Sequence, residues 1–440
     1  MQTPICDFVR AYADAQVHRL HMPGHKGNGV LGIEALDITE IHGADSLYQA
    51  QGIIAQSQDN ASALFGCRTL YSTEGASQCI RAMLYLVSLY ARRQGSEPLV
   101  VAARNAHKAF LTAVAMLDVQ VQWLYPAQQE GYLSCDITAE QWEQYLQASA
   151  QKPTALYLTS PDYPGHISDI RALAEVCRRH GVLLVVDNAH GAYLKFLPQS
   201  LHPIDLGAHL CCDSAHKTLP VLTGGAYLHI SPDYPKYSEG ARGALSLFAS
   251  TSPSYLTLCS LDLCNRYLSR GFEDKLEALC HRILTVKSEI KSLGFEVMDS
   301  EPLKIVIKSG GNLSHQLKAR NIEVEYSDGE YTVLMLTVEN SEEDLSLLLN
   351  ALSEIKPENI KSDDLGVGPH DREMSIREAI FAKSELVPVE NAKGRICASP
   401  TVSCPPAVPI VVSGERITEE DVKLFYRYSV DKVSVVKENK

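Results

Sequence analysis

The sequence lacks the signals of several protein classes. None of its apolar runs approaches the roughly 18 residues that a membrane-spanning helix needs. Residues 1–20 carry charges throughout and contain no apolar core of a secretory signal, so we expect a cytoplasmic protein that does not enter a membrane. No fixed-period repeat and no low-complexity tract is present, which argues against solenoid and fibrous architectures.

The chain also lacks an excess of basic residues and closely spaced cysteine pairs. The formal net charge is -13, which argues against nucleic-acid binding and would suit a small cationic substrate. The 12 cysteines form no CxxC pair and lie mostly inside apolar runs. We therefore expect reduced cysteines that act as small hydrophobic residues, and we assign no residue to a metal.

What the chain does contain is the composition of an ordinary globular protein of two or three domains. It has 440 residues, of which 45% are hydrophobic and 21% charged. Between about residues 70 and 230, short apolar runs alternate with helical periodicity, as in 99–102, 155–158, 170–180, 182–186 and 225–230. This alternation predicts an α/β fold with a mostly parallel sheet covered by helices on both faces.

The flanking regions have other patterns. Residues 4–18 predict one amphipathic helix, and residues beyond 274 predict a smaller α+β domain. A last unit would hold a helix over 375–384 and a proline-rich strand region over 404–415. We therefore predict four parts, residues 1–45, 46–270, 271–360 and 361–440, of which the second is the large domain.

The segment Ala208–Pro220 combines an apolar strand with reactive side chains. Leu210–Cys212 predicts a buried strand that ends in a loop carrying Ser214, His216 and Lys217. Ligands of open α/β sheets bind at this edge, and a desolvated lysine there could form a Schiff base. An exposed loop lysine beside an incidental histidine would give the same pattern.

Three other segments are equally ambiguous when they are taken alone. Gly75, Ala76 and Ser77 open a helix, where backbone N–H groups bind a phosphate or where an ordinary helix cap lies. His107 could stack on a ring or cap a helix, and Asp187 could pair with a pyridinium or with an arginine. In this chain order, the four segments together supply the parts that pyridoxal phosphate requires.

On its motifs, the chain resembles the bacterial Orn/Lys/Arg decarboxylase family in its short form. The matching segments are His21–Gly27, Asp37–Glu40 with Ser46–Tyr48, Arg104–Lys108, Asp187–Ala192, Ser214–Thr218, Ser250–Tyr255 and Arg377–Ala379 through Pro405-Pro406. They keep their order across nearly the whole chain. The resemblance implies fold type I of the pyridoxal-phosphate enzymes (aspartate aminotransferase-like), with a mostly parallel seven-stranded sheet.

The resemblance also implies a role for each site residue. Lys217 would hold pyridoxal 5'-phosphate as a Schiff base, Asp187 would pair with the pyridinium nitrogen, and His107 would stack on the ring. His190 would lie near the phenolic oxygen. The phosphate would be bound by Gly75, Ala76, Ser77, Ser214 and His216. Thr251, in the turn Ser250–Ser252, would reach a neighbouring subunit's cofactor, which implies a homodimer with shared active sites.

The implied reaction is decarboxylation of a basic amino acid, with arginine favoured over lysine and ornithine by family frequency. Acidic residues of the N-terminal loops such as Asp45 are candidates to bind the distal cation. Asn188 stands where the family usually has Glu, and Tyr193 where it often has a second histidine. The alternatives are therefore another fold type I reaction, an aminotransferase or a lyase, and a non-catalytic cofactor-binding paralogue.

Overall fold

The computed structural model describes residues 1–127, 131–358, 367–399 and 407–438. Thirteen strands lie in these ranges: β1 Arg68–Ser72, β2 Leu99–Ala103, β3 Gln120–Leu124, β4 Ala155–Thr159, β5 Leu183–Asp187, β6 Leu210–Asp213, β7 Ala226–Ile230, β8 Glu296–Met298, β9 Lys304–Lys308, β10 Tyr326–Ser327, β11 Tyr331–Met335, β12 Ser384–Pro388 and β13 Lys432–Val436.

The α-helices of the described ranges alternate with these strands. Their bounds are α1 Pro4–Asp14, α2 Ile53–Phe65, α3 Gly75–Arg93, α4 Lys108–Leu117, α5 Ala139–Ala148, α6 Ile170–His180, α7 Ala215–Thr218, α8 Ser238–Ser246, α9 Tyr255–Leu268, α10 Phe272–Ser292, α11 Asn312–Lys318, α12 Glu342–Ser353, α13 Ile376–Phe381 and α14 Glu419–Arg427.

The central sheet has seven strands in the order β1-β7-β6-β5-β4-β2-β3. β2 runs parallel to β3 and β4, and β5 runs parallel to β6, whereas β7 is antiparallel to both β6 and β1. β2 and β5 are buried along their whole length, as strands covered on both faces must be. The mostly parallel seven-stranded sheet predicted from the sequence is confirmed.

The chain divides into two compact units. The first unit consists of Met1–Gln94 and Ile170–Lys275, and the second of Gly95–Asp169 and Leu276–Lys440. The second unit also holds an antiparallel sheet, β10-β11-β9-β8, and the antiparallel pair β12–β13. The four-part division of the chain stays a prediction.

Four local predictions differ from the structure, and the first concerns the stretch around Lys217. That residue lies in the one-turn helix α7 instead of a loop, because Ser214 O and Ala215 O accept the N–H groups of Lys217 and Leu219 at 3.0 and 2.8 Å. The second is α1, which ends at Asp14 because Gln16 adopts the left-handed backbone region at φ 51°.

The other two differences lie in the last part of the chain. Of the helix predicted over 375–384, only α13 forms, because residues from Ser384 onward pair with β13. In the region 404–415, residues 404–406 lie outside the described ranges and residues 407–415 form no strand. The carbonyls of Pro409 and Ile410 accept hydrogen bonds from the Arg104 guanidinium, both at 2.9 Å, and a proline has no N–H for a strand ladder.

Within the ranges that the structure covers, every helix is too short or too polar to cross a lipid bilayer. The eleven cysteines of these ranges are free thiols, as predicted.

Candidate active site

The ends of β5 and β6 bring the predicted aspartate and lysine segments to one edge of the first unit. The two strands are parallel, and Asp187 lies opposite Cys212 in their register. Each strand is apolar and buried until its last residue, where the chain turns into a polar segment. The carboxyl ends of neighbouring parallel strands form the usual ligand-binding edge of an α/β sheet.

Asp187 lies at the end of β5 and is only 2% exposed. Its Oδ1 accepts the backbone N–H of Ala189 at 3.2 Å and the thiol of Cys212 at 3.7 Å. These two bonds hold the carboxylate at the end of β5. A buried carboxylate held in this way is suited to a cationic ring nitrogen.

Lys217 is half-buried on α7, directly after β6. Its Nζ lies 2.8 Å from His190 Nε2, and His190 is itself buried. An amine at this distance from an imidazole can pass its proton to the ring and become a nucleophile. The structure therefore brings three predicted residues, Asp187, His190 and Lys217, together in the first unit.

The start of α3 offers a phosphate site in the same unit. Gly75 has φ 73°, a region that favours glycine, and no atom lies within 4 Å of the position that a Cβ would take. Glu74, the residue before the helix, makes no side-chain cap, and Gly75 N–H bonds Gly224 O at 2.8 Å. Ala76 and Ser77 lie in the first turn, whose N–H groups have no partner within the helix and attract an anion.

Ser214 and His216 follow the buried end of β6. Ser214 is 4% exposed, and His216 donates from Nδ1 to the carbonyl of Gly225 at 3.0 Å. Burial lowers the pKa of His216, so the neutral ring presents a lone pair at Nε2. Phosphate binding by this side chain would require a proton on Nε2.

The turn predicted to reach a neighbouring subunit is exposed. Ser250 N–H donates to Glu74 Oε1 at 2.7 Å, so this turn lies beside the start of α3. Thr251 is the exposed residue next to that contact. Its role toward another subunit stays a prediction.

His107 belongs to the second unit, where it caps α4. Its Nδ1 accepts the backbone N–H of Ala109 at 3.1 Å. Its neighbours are anchored on either side: Lys108 N–H donates to Ala407 O at 2.9 Å, and Arg104 donates to Glu415 Oε2 at 3.2 Å. Of the two alternatives for His107, the helix cap is thus present. Stacking on a ring stays a prediction.

The structure gives Asp45, a candidate for the distal cation, a different task. Both carboxylate oxygens accept backbone N–H groups at 2.8 to 3.4 Å, from Ser46, Gln51, Gly52, Ile54 and Ala55. Burial alone would raise the pKa of Asp45, but these bonds outweigh it and lower the pKa. The carboxylate therefore stabilises the turn before α2, and we do not assign it to substrate.

Sequence reasoning missed the most buried carboxylate of this region. Asp213 ends β6 and is 0% exposed, and it contacts His202, His229 and Asn188. One signal could have found it, since Asp213 ends an apolar strand in the same way as Asp187. Its histidine partners come from distant segments and carry no local signal.

The seven-stranded sheet has the architecture of the fold type I pyridoxal-phosphate enzymes. A profile of the Orn/Lys/Arg decarboxylase major domain matches residues 3–310, and one of the C-terminal domain of these enzymes matches residues 370–430. The chain belongs to the Orn/Lys/Arg decarboxylase family, and it is a pyridoxal-phosphate-dependent amino-acid decarboxylase.

Similar proteins agree with this assignment. An arginine decarboxylase of Bacillus subtilis is 29% identical over 470 residues, with 97% of this chain and 93% of that protein covered. An arginine decarboxylase of Halalkalibacterium halodurans is 28% identical, with 96% and 92% covered. The lysine decarboxylase of Francisella novicida shares the fold, with a TM-score of 0.81 at 17% identity over 99% of this chain and 81% of that chain.

Proposed function

We propose that this enzyme removes the α-carboxylate of a basic amino acid, arginine in preference to lysine or ornithine, to give the corresponding amine. The observation that carries the proposal is the Lys217–His190 contact beside the buried Asp187. The relatives named arginine decarboxylase support the choice of substrate. A homodimer with shared active sites in the cytoplasm belongs to the same proposal.

Each side chain has a task that follows from its contacts. Lys217 would hold the cofactor covalently, and His190 would exchange the proton of the Nζ atom. Asp187, fixed by Ala189 N–H and the Cys212 thiol, would keep the ring nitrogen protonated. When bound, pyridoxal phosphate supplies the electron sink for the electron pair that remains on Cα as CO₂ leaves.

The phosphate would lie at the start of α3 and near the end of β6. The first-turn N–H groups of Ala76 and Ser77 would donate to it, and the open space at Gly75 admits its oxygens. Ser214 and His216 would complete this site. His107, by the resemblance of its motif, would stack on the ring.

Absorbance and CO₂ release test the proposal together. The purified protein should show the visible band of a lysine-bound cofactor, and Lys217→Ala should abolish both the band and CO₂ release from arginine. Lys236→Ala is the matched control, because Lys236 is exposed in the same unit and its Nζ lies 4.2 Å from the Tyr90 ring centroid.

Three outcomes would contradict parts of the proposal. A colourless protein would exclude the cofactor role of Lys217. Greater CO₂ release from lysine or ornithine than from arginine would overturn the substrate preference. Transamination without CO₂ release from any of the three amino acids would indicate another fold type I reaction.

A further inference from the structure

Asp213 is a buried anion with an unusual set of partners. It is 0% exposed, and its Oδ2 accepts from His202 Nε2 at 3.1 Å and from His229 Nε2 at 3.0 Å. Its Oδ1 accepts from Asn188 Nδ2 at 2.7 Å and from the Cys211 thiol at 3.7 Å. These four donors include neither a lysine nor an arginine.

The carboxylate is nevertheless ionised. Burial alone would raise the pKa of Asp213, but the imidazoles of His202 and His229 and their hydrogen bonds outweigh it and hold the pKa well below its usual value. His202 Nδ1 accepts Ile204 N–H at 3.4 Å, which places the ring proton on Nε2, toward Asp213. His229 Nε2 donates to Asp213, because an ionised carboxylate can only accept, while its Nδ1 meets the Thr69 hydroxyl at 2.9 Å.

The same contacts decide between a hydrogen-bond network and a metal site. His202, Cys211 and Asp213 bring one donor atom each within 4.8 Å of one another, which is close enough for a metal ion. A ring nitrogen that carries a proton has no lone pair for a metal. Since Ile204 N–H fixes the proton of His202 on Nε2, the geometry favours the hydrogen-bond network.

The network is continuous with the candidate active site through Asn188. Asn188 directly follows Asp187, and its backbone N–H donates to Cys212 O at 2.9 Å. Its side-chain amide donates to Asp213. Its Oδ1 lies so close to Gly191 that a Cβ at residue 191 would be only 2.0 Å from it. The donor end of the Asn188 side chain is thus held by Asp213 and its backbone N–H by Cys212, and the turn that begins there directly follows Asp187 and carries His190.

We propose that Asp213 is a positioning residue for the cofactor site, acting through Asn188 to hold the 187–191 turn that presents Asp187 and His190. The proposal rests on the proposed function, because the two residues it positions are those assigned to the cofactor ring and to Lys217. It also gives Asn188 a task, which the sequence left open. A glutamate at 188 would place a second carboxylate against Asp213, whereas an amide can donate to it.

A reciprocal exchange of the pair tests this directly. Asp213→Asn turns an amide N–H₂ toward imidazole donors, and Asn188→Asp sets two carboxylates against each other. Each single variant should weaken pyridoxal phosphate binding by about 10-fold or more, the usual size for loss of a hydrogen bond to a buried charge. The double variant Asn188→Asp/Asp213→Asn restores a donor–acceptor pair and should regain most of this affinity.

A second readout separates positioning from simple stability. Loss of the negative charge in Asp213→Asn should move the pH midpoint of the visible cofactor band to lower pH, because a nearby anion favours a protonated nitrogen. Asp205→Asn is the matched control: Asp205 pairs with Lys195 at 2.7 Å near the surface of the same unit. It should leave the midpoint and the cofactor affinity unchanged.

Two results would overturn the proposal. Lower thermal stability of Asp213→Asn with unchanged cofactor affinity and an unchanged midpoint would make Asp213 merely structural. One equivalent of zinc in the wild-type protein that is absent from Asp213→Asn would replace the network by a metal site. If the wild type binds no cofactor, the proposed function fails, and a double-mutant cycle on the unfolding of the apoproteins still measures the Asn188–Asp213 coupling.

Discussion

Two buried carboxylates of this protein are neutralised in different ways. In the first unit, the oxygens of Asp213 accept from two imidazoles, an amide and a thiol. In the second unit, Glu415 accepts from the Arg104 guanidinium at 3.2 Å, and His370 Nδ1 lies 3.7 Å away. Both carboxylates are almost fully buried, so each would be costly without its partners.

The difference lies in how the stabilisation is distributed. The charge of Asp213 is spread over several donors, so the loss of one donor leaves the others. Glu415 accepts from the Val412 N–H at 2.8 Å, but its one permanent cation is Arg104, which also donates to the carbonyls of Pro409 and Ile410. We therefore expect Asp213 to tolerate the loss of one donor better than Glu415 tolerates the loss of its permanent cation.

Arg104→Leu should have the largest effect on stability. It leaves Glu415 buried without its guanidinium and two backbone carbonyls without donors, so we expect a loss of about 3 to 5 kcal/mol in the free energy of unfolding. Urea unfolding of the wild type and the variant measures it. Arg104 also begins the turn that carries His107, so we expect the Arg104→Leu variant to bind the cofactor more weakly.

The control for this variant is Lys393→Leu, which removes an exposed ion pair of the second unit. Lys393 lies 2.6 Å from Glu419, and both side chains are more than half exposed. A surface pair of this kind contributes little to the free energy of unfolding, because water screens it. If Arg104→Leu cost no more than Lys393→Leu, the contrast between the two buried clusters would be wrong.

The pH dependence of His370 gives the next effect. Its Nε2 lies 2.8 Å from Asp421 Oδ2, and the other charged or titratable groups nearby are Glu415, Arg104 and Tyr125. Burial alone would lower the pKa of His370, but the bond to Asp421 and the charge of Glu415 outweigh it and raise the pKa.

The sign of the effect follows from that raised pKa. The stabilisation is fully present below the unfolded value of about 6.5, and it is lost as the pH rises through the folded pKa. The pKa of Asp213 is lowered, so its contribution is present above the unfolded value of about 3.9 and is lost only as the pH falls.

We therefore expect the wild type to lose unfolding free energy as the pH rises from about 6.5 through the raised pKa of His370, and His370→Asn to lose much less over the same range. Urea unfolding at a series of pH values measures both curves. His315→Asn changes an exposed histidine of the same unit and should follow the wild type. Parallel curves for His370→Asn and the wild type would contradict the assignment.

The groups around Asp213 and Glu415 also show which parts of the molecule could be predicted from sequence. Helix α6 has the predicted bounds, because its apolar periodicity is local and complete. Asp187 and Lys217 were found because each follows an apolar strand within a few residues. These signals need only neighbouring residues.

Contacts between side chains of different segments could not be predicted from the sequence. His202 and His229 reach Asp213 from either side of β6 in the chain, and Glu415 reaches Arg104 from more than 300 residues away. The strand prediction is wrong over residues 407–415 for the same reason, since Arg104 takes the carbonyls that a neighbouring strand would otherwise use. In each case the deciding partner lies in a different segment of the chain, 11 or more residues away.

Asn188→Ala should have the smallest effect of the three and is the most direct test of distributed stabilisation. It removes one donor from Asp213 while both imidazoles remain at 3.0 and 3.1 Å, so we expect a loss of about 1 to 2 kcal/mol in the unfolding free energy of the apoprotein. Urea unfolding beside Arg104→Leu gives the comparison. A loss as large as that of Arg104→Leu would mean that Asp213 depends on Asn188 alone, and the two clusters would then be stabilised in the same way.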